Sequence, residues 1–119
     1  MPAFGDPFAG NVTRKISKEE LIQAIRLDIA GELEAIYIYD AHVLATDDPL
    51  AKKVLADIRD EEKAHVGELI TLLHLLDPEE AKHFTEGQQE VREMLEELNI
   101  PTPKSPSAKT DSTIGSLIG

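Results

Sequence analysis

The sequence predicts an all-α protein: an antiparallel two-helix hairpin followed by a third helix. Two observations carry that prediction. Apolar residues between Leu21 and Leu98 recur at three- and four-residue spacing, the mark of helices with one buried face. Two Asp-Pro junctions, Asp48-Pro49 and Asp77-Pro78, divide that stretch into three segments, and each junction is a helix start signal.

Residues 1–16 contain Gly5, Pro7 and Gly10 without a sustained period, and read as an extended arm. Phe4 and Phe8 are its aromatic groups, either loosely packed or docked on a neighbour. The helical domain follows over residues 17–98. Ser17-Lys18-Glu19-Glu20 fits a capping box, in which Ser17 and Glu20 each satisfy the other's backbone amide. The first helix then runs to about Ala45. Leu21, Ile25, Ile29, Ile36 and Val43 mark its apolar face, widened by Ile22, Leu33, Ile38 and Leu44. A face that broad calls for burial against more than one partner.

Thr46-Asp47-Asp48-Pro49 ends the first helix and starts the second, which runs to about Leu76. The second stripe comprises Leu50, Val54, Leu55, Ile58, Val66, Leu69, Leu72, Leu73 and Leu76. Asp77-Pro78-Glu79-Glu80 opens the third helix with a cap, a proline and acids at the positive helix end. That helix extends to about Leu98 and has Phe84, Val91, Met94, Leu95 and Leu98 on its apolar side; Gly87 weakens it. Residues 99–111 hold Pro101, Pro103 and Pro106 among Ser, Thr and Lys, and read as a flexible linker. Residues 112–119 turn apolar again and suit a docking peptide.

Twelve basic residues against 23 acidic ones give a net charge of −11, which argues against a nucleic acid partner and is compatible with attracting cations. With no cysteine, any metal must be held by oxygen and imidazole ligands, a set that suits iron, manganese or zinc. No apolar run reaches the length of a membrane span, and the N-terminus lacks the pattern of a signal peptide. A soluble, cytoplasmic protein is the expectation.

Glu62-Lys63-Ala64-His65 falls within the second apolar stripe. A Glu and a His three residues apart on a helix can reach one metal ion, and Glu-x-x-His is the repeated element of di-iron sites in four-helix bundles. Glu32 interrupts the first stripe. It lies fifteen residues before Asp47, and Glu62 lies fifteen after it, so a hairpin turning at Asp47 sets the two carboxylates at one height. A full di-iron site takes four carboxylates and two imidazoles. Glu32, Glu62 and His65 are half of it. Two chains related by a twofold axis would supply the rest, which predicts a metal site on a homodimer interface and a four-helix bundle completed by dimerisation.

Competing readings exist. Glu62 and His65 can be solvated at the edge of the stripe, leaving a non-catalytic helical scaffold. The same ligands can also serve a peroxidase or a manganese protein. Tyr39, seven residues after Glu32 and nearly in line with it, is either a core aromatic or a group beside the site. Glu34 points away from Glu32, as a surface acid or an aid to iron uptake. Asp60 and Glu61 read as solvated, and His42, His74 and His83 as residues that are not ligands.

The chain resembles the encapsulated ferritins on three segments: 31–39 (Gly-Glu-Leu-Glu-Ala-Ile-Tyr-Ile-Tyr), Glu61-Glu62-Lys63-Ala64-His65, and the ending Ser112-Thr113-Ile114-Gly115-Ser116-Leu117-Ile118-Gly119. The resemblance implies a ferritin-like fold and ferroxidase activity at a di-iron centre between two subunits. It implies iron ligation by Glu32, Glu62 and His65, with Tyr39 adjacent. It also implies a ring of dimers that makes a decamer, and a C-terminal peptide, residues 112–119, that docks in an encapsulin shell and places the protein inside that nanocompartment. Some relatives carry an outer metal-access cluster of two carboxylates and a tryptophan. Here only Glu34 matches it, and Gly31 and Ile38 stand at the other two positions.

Overall fold

The computed structural model describes residues 14–103. Most of the N-terminal arm, the end of the linker and the whole of 112–119 lie outside them. Three helices follow in order: α1 Lys18–Ala45, α2 Pro49–Leu76 and α3 Pro78–Glu97.

Local chemistry sets the helix starts. The amide of Glu20 donates to the Ser17 hydroxyl at 3.1 Å, and the amide of Ser17 donates to Glu20 Oε1 at 3.0 Å, completing the capping box. Arg14 adds a two-pronged grip on the same carboxylate, with Nη1 3.0 Å from Oε1 and Nη2 2.7 Å from Oε2. At α2 the Asp48 carboxylate accepts from the Ala51 amide at 2.9 Å, and Pro49 fills the first helical position, where no amide hydrogen is needed. Only Thr46, Asp47 and Asp48 separate α1 from α2, so the helices return antiparallel and pack along their length.

The apolar faces meet most tightly near the open end of the hairpin. Ile25 and Leu73 are each 2 % exposed, the two fully buried apolar residues among those described. Leu33, Leu44, Leu50, Val54 and Leu72 stay exposed. The breadth of the first stripe is therefore not consumed by α2.

Asp77 ends α2, its amide donating to the Leu73 carbonyl at 2.8 Å. Its carboxylate stands 3.5 Å from Arg26 on α1, a role that the Asp-Pro start signal does not disclose. A second unit begins at Glu79 and contains α3. Phe84, Val91, Met94 and Leu98 leave the apolar side of α3 exposed, and the helix runs unbroken through Gly87. It stops in a left-handed turn. Asn99 has φ 57°, its amide donates to the Glu96 carbonyl at 3.1 Å, and the Ile100 amide donates to that of Leu95 at 2.8 Å. That pair of bonds is the Schellman arrangement, with Asn in the position usually given to Gly and a proline two residues on.

Candidate metal centre

Helical periodicity brings the acidic residues inward. Glu32 is seven residues beyond the buried Ile25 and returns to within about 20° of it around α1. Glu62 is eleven residues before the buried Leu73 and returns to within about 20° of that residue on α2. Each carboxylate therefore points at the facing helix. Glu62 is 19 % and Glu32 27 % exposed, while His65, about 60° further round α2, is 48 % exposed.

His65 Nδ1 stands 3.6 Å from Glu62 Oε2 and 3.8 Å from Glu32 Oε1. One ligand atom from each of the three residues lies within 4.8 Å of the others. Donors around a single ion at about 2.0–2.2 Å stand roughly 3–3.5 Å apart, so small rotamer changes would let these three converge on one cation. Carboxylate and imidazole donors suit iron, manganese or zinc, as the absence of cysteine requires.

The electrostatics point the same way. Two carboxylates are drawn out of water on facing helices. Among the described residues no lysine or arginine faces either of them, and neither accepts a hydrogen bond; His65 is their shared neighbour. A cation between two partly desolvated like charges would compensate their repulsion. At 19 % exposure Glu62 is partly buried, while His65 beside it is open to solvent.

Tyr39 is half-buried on α1, two turns beyond Glu32, and Glu34 lies outside the three-residue cluster. Among the described residues His42, His74 and His83 also lie outside it. His83 Nδ1 lies 3.3 Å from Glu86 instead. Asp60 is exposed, as its sequence context suggests, yet it is engaged. Arg59 Nε donates to it at 3.1 Å, and Lys63 Nζ stands 3.7 Å away. Arg59 also reaches Asp40 on α1, with Nη1 2.8 Å from Oδ1. The sequence reading missed that contact.

Known proteins give matching likenesses. The family model described as ubiquinone biosynthesis protein COQ7 matches residues 19–76, the span of the hairpin. The encapsulin nanocompartment cargo protein EncC of Myxococcus xanthus is 36 % identical over 94 % of this chain and 95 % of its own length. A ferritin-like–encapsulin shell fusion protein of Pyrococcus furiosus is 40 % identical over 75 % of this chain, which corresponds to 26 % of that protein. Among solved structures, the encapsulated ferritin domain from Pyrococcus furiosus superposes with a TM-score of 0.69 at 40 % identity, covering 76 % of this chain and 93 % of the other.

Proposed function

The chain belongs to the encapsulated ferritin-like proteins, and on that premise we propose that it is a ferroxidase working at a di-iron centre shared by two subunits. The observation that carries the reading is the cluster of Glu32, Glu62 and His65: two inward carboxylates and one imidazole, half of a di-iron ligand set. A second copy of the chain supplies the other half. The face bearing His65 supports this arrangement, because Val54 and Leu72, which share that side of α2 by helical period, are exposed in the single chain.

Iron is the substrate. Glu32, Glu62 and His65 of the two chains would together hold two Fe²⁺ ions. Hard anionic oxygen donors favour Fe³⁺ over Fe²⁺ and so lower the cost of electron loss. Two Fe²⁺ give up two electrons, which reduce one O₂ to H₂O₂ with uptake of two protons, or one H₂O₂ to two waters. Tyr39 is assigned a place beside this centre, and Glu34 a place on the entry path of iron.

Residues 112–119 are proposed to dock in an encapsulin shell, where the oxidised iron is stored. The Myxococcus relative, whose name makes it an encapsulin cargo, spans nearly the whole of this chain, and this supports the reading. No helix among the described residues is long and apolar enough to cross a membrane, which accords with a place inside the compartment. The assembly is proposed to be a ring of dimers, a decamer. Anaerobic Fe²⁺ titration followed by oxygen exposure tests the centre: two iron per dimer, oxidised rapidly, is the expected result. A chain that binds no metal and dimerises regardless of chelator would be a non-catalytic scaffold.

A further inference from the structure

Besides the approach of His65 to Glu32, polar links cross the hairpin at three places among the described residues, and these share one side of it. Near the turn, Lys52 Nζ donates to the Val43 carbonyl at 2.9 Å. Further along, Arg59 Nη1 donates to Asp40 Oδ1 at 2.8 Å. Near the open end, Arg26 Nη2 faces Asp77 Oδ2 at 3.5 Å. Measured at about 100° per residue from Ile25 on α1 and from Leu73 on α2, these charged side chains all fall about 40–100° to one side of the helix-to-helix line. Glu62 and His65 fall to the other side. Along the chain, Glu32 lies between Arg26 and Asp40, while Glu62 and His65 lie between Arg59 and Asp77. The metal cluster is thus bracketed, from behind, by two arginine–aspartate bridges.

We infer that Arg59, supported by Arg26, is a positioning residue that holds α1 and α2, away from the turn, in the axial register the turn begins, and so keeps Glu32 and Glu62 at a shared height. The three-residue turn sets that register at one end of the hairpin, and fifteen residues further along packing alone holds it weakly. Both stripes are runs of Ile, Leu and Val, and a slide of one turn, about 5.4 Å, would again set aliphatic side chains against aliphatic side chains. Few positions are tightly enough buried to oppose it; Ile25 and Leu73 are the fully buried pair. A charge pair is less tolerant. The same slide would carry the Arg59 guanidinium out of contact with Asp40, and it would part Glu32 from Glu62 by as much.

Arg59 is suited to the task. Its side chain is 21 % exposed, so its bridge to Asp40 is less screened than one between fully solvated groups. Asp60 accepts from Nε at 3.1 Å, which holds the planar guanidinium in one orientation toward α1. Registry is also the best-attested service of partly buried polar pairs between helices.

The consequence for iron rests on the metal reading above; the register itself can be read without metal. The chain has no cysteine, so Leu27→Cys and Glu68→Cys, both at exposed positions on different helices, can carry spin labels, diluted with unlabelled chain. The wild-type background gives one narrow distance. Arg59→Gln with Arg26→Gln should broaden or shift it by several ångströms. Arg59→Lys, which keeps a cation within reach of Asp40, should hold it narrow. Co²⁺ affinity, followed by its visible spectrum, should fall about tenfold in the double variant and recover with lysine. An unchanged distance distribution in the double variant overturns the inference. A shifted distribution upholds it even if no form of the protein binds Co²⁺, and that second result would count against the metal reading alone.

Discussion

Glu32 Oε1 on α1 stands 3.8 Å from His65 Nδ1 on α2, so a cation held by either residue is within reach of the other helix. Removing one partner leaves the remaining ligands in place but incomplete. Glu32→Ala, and Glu62→Ala with His65→Ala, should each reduce rapid Fe²⁺ oxidation by more than about 100-fold, beyond the 10–100-fold typical of groups that merely support a ligand. Stopped-flow absorbance of Fe³⁺ formation checks this. Rates near wild type in either variant would remove these residues from the centre.

Binding at a site that exists only in the fold stabilises the fold. A divalent metal at about 100 times its dissociation constant adds about 2.7 kcal/mol. Thermal unfolding with Co²⁺ should therefore show a raised midpoint for the wild type that EDTA reverses. The same titration on Glu62→Ala should show almost none of that rise. An equal rise in both proteins would place the metal elsewhere.

Much of the hairpin was legible because its signals are local or periodic. Ser17 and Glu20, and then Asp48 and Pro49, announce the helix starts within a single turn of chain, and the structure uses them in those roles. The constant rise per residue made the matched heights of Glu32 and Glu62 readable by counting from Asp47. The cross-helix bridges were not legible. Arg59 and Asp40 are nineteen residues apart, and Asp57 and Asp60 are nearer in sequence, so nothing local singled out Asp40. Asp77 stands where its Asp-Pro context announces a helix start, and its carboxylate also answers Arg26 across the hairpin, which that local context does not disclose. The left-handed Asn99 was signalled by an Asn two residues before a proline, and was read only as a change of composition.

Exposed aliphatics beside the cluster make a directed test of the dimer possible. Leu72→Glu places a charge where a second copy would exclude water, on the side of α2 that also carries His65. Sedimentation should show loss of the dimer, and iron oxidised per chain should fall with it. The helix signal in circular dichroism should persist, because Leu72 is exposed in the single chain and Leu73 still fills the core. A dimer that survives Leu72→Glu would move the interface to another face.

Docking and chemistry are assigned to different parts of the chain, so they should separate. Deleting residues 112–119 should abolish co-purification with a co-expressed encapsulin shell while leaving Fe²⁺ oxidation within about twofold of wild type; the segment is joined to α3 through a proline-containing linker. Continued retention in the shell would assign docking to another segment.

The start of α1 carries a pH dependence of definite sign. Arg14, followed by the Ser17 amide, lowers the Glu20 carboxyl from 4.5 to about 2. A group whose pKa is lower in the folded state contributes stability that is complete above its unfolded value and disappears as the pH falls through the folded one. The capping box should therefore hold at pH 5 and be lost progressively between about 4.5 and about 2. The carboxyl is exposed, so the loss should appear as faster amide exchange in the first turn and leave the helix beyond Ile25 unchanged. Arg14→Ala should move the Glu20 midpoint upward toward the ordinary carboxylate range. Ser17→Ala should fray the same turn at every pH, at a cost of about 1 kcal/mol. An unshifted midpoint in Arg14→Ala would mean that the guanidinium contact does not persist in solution.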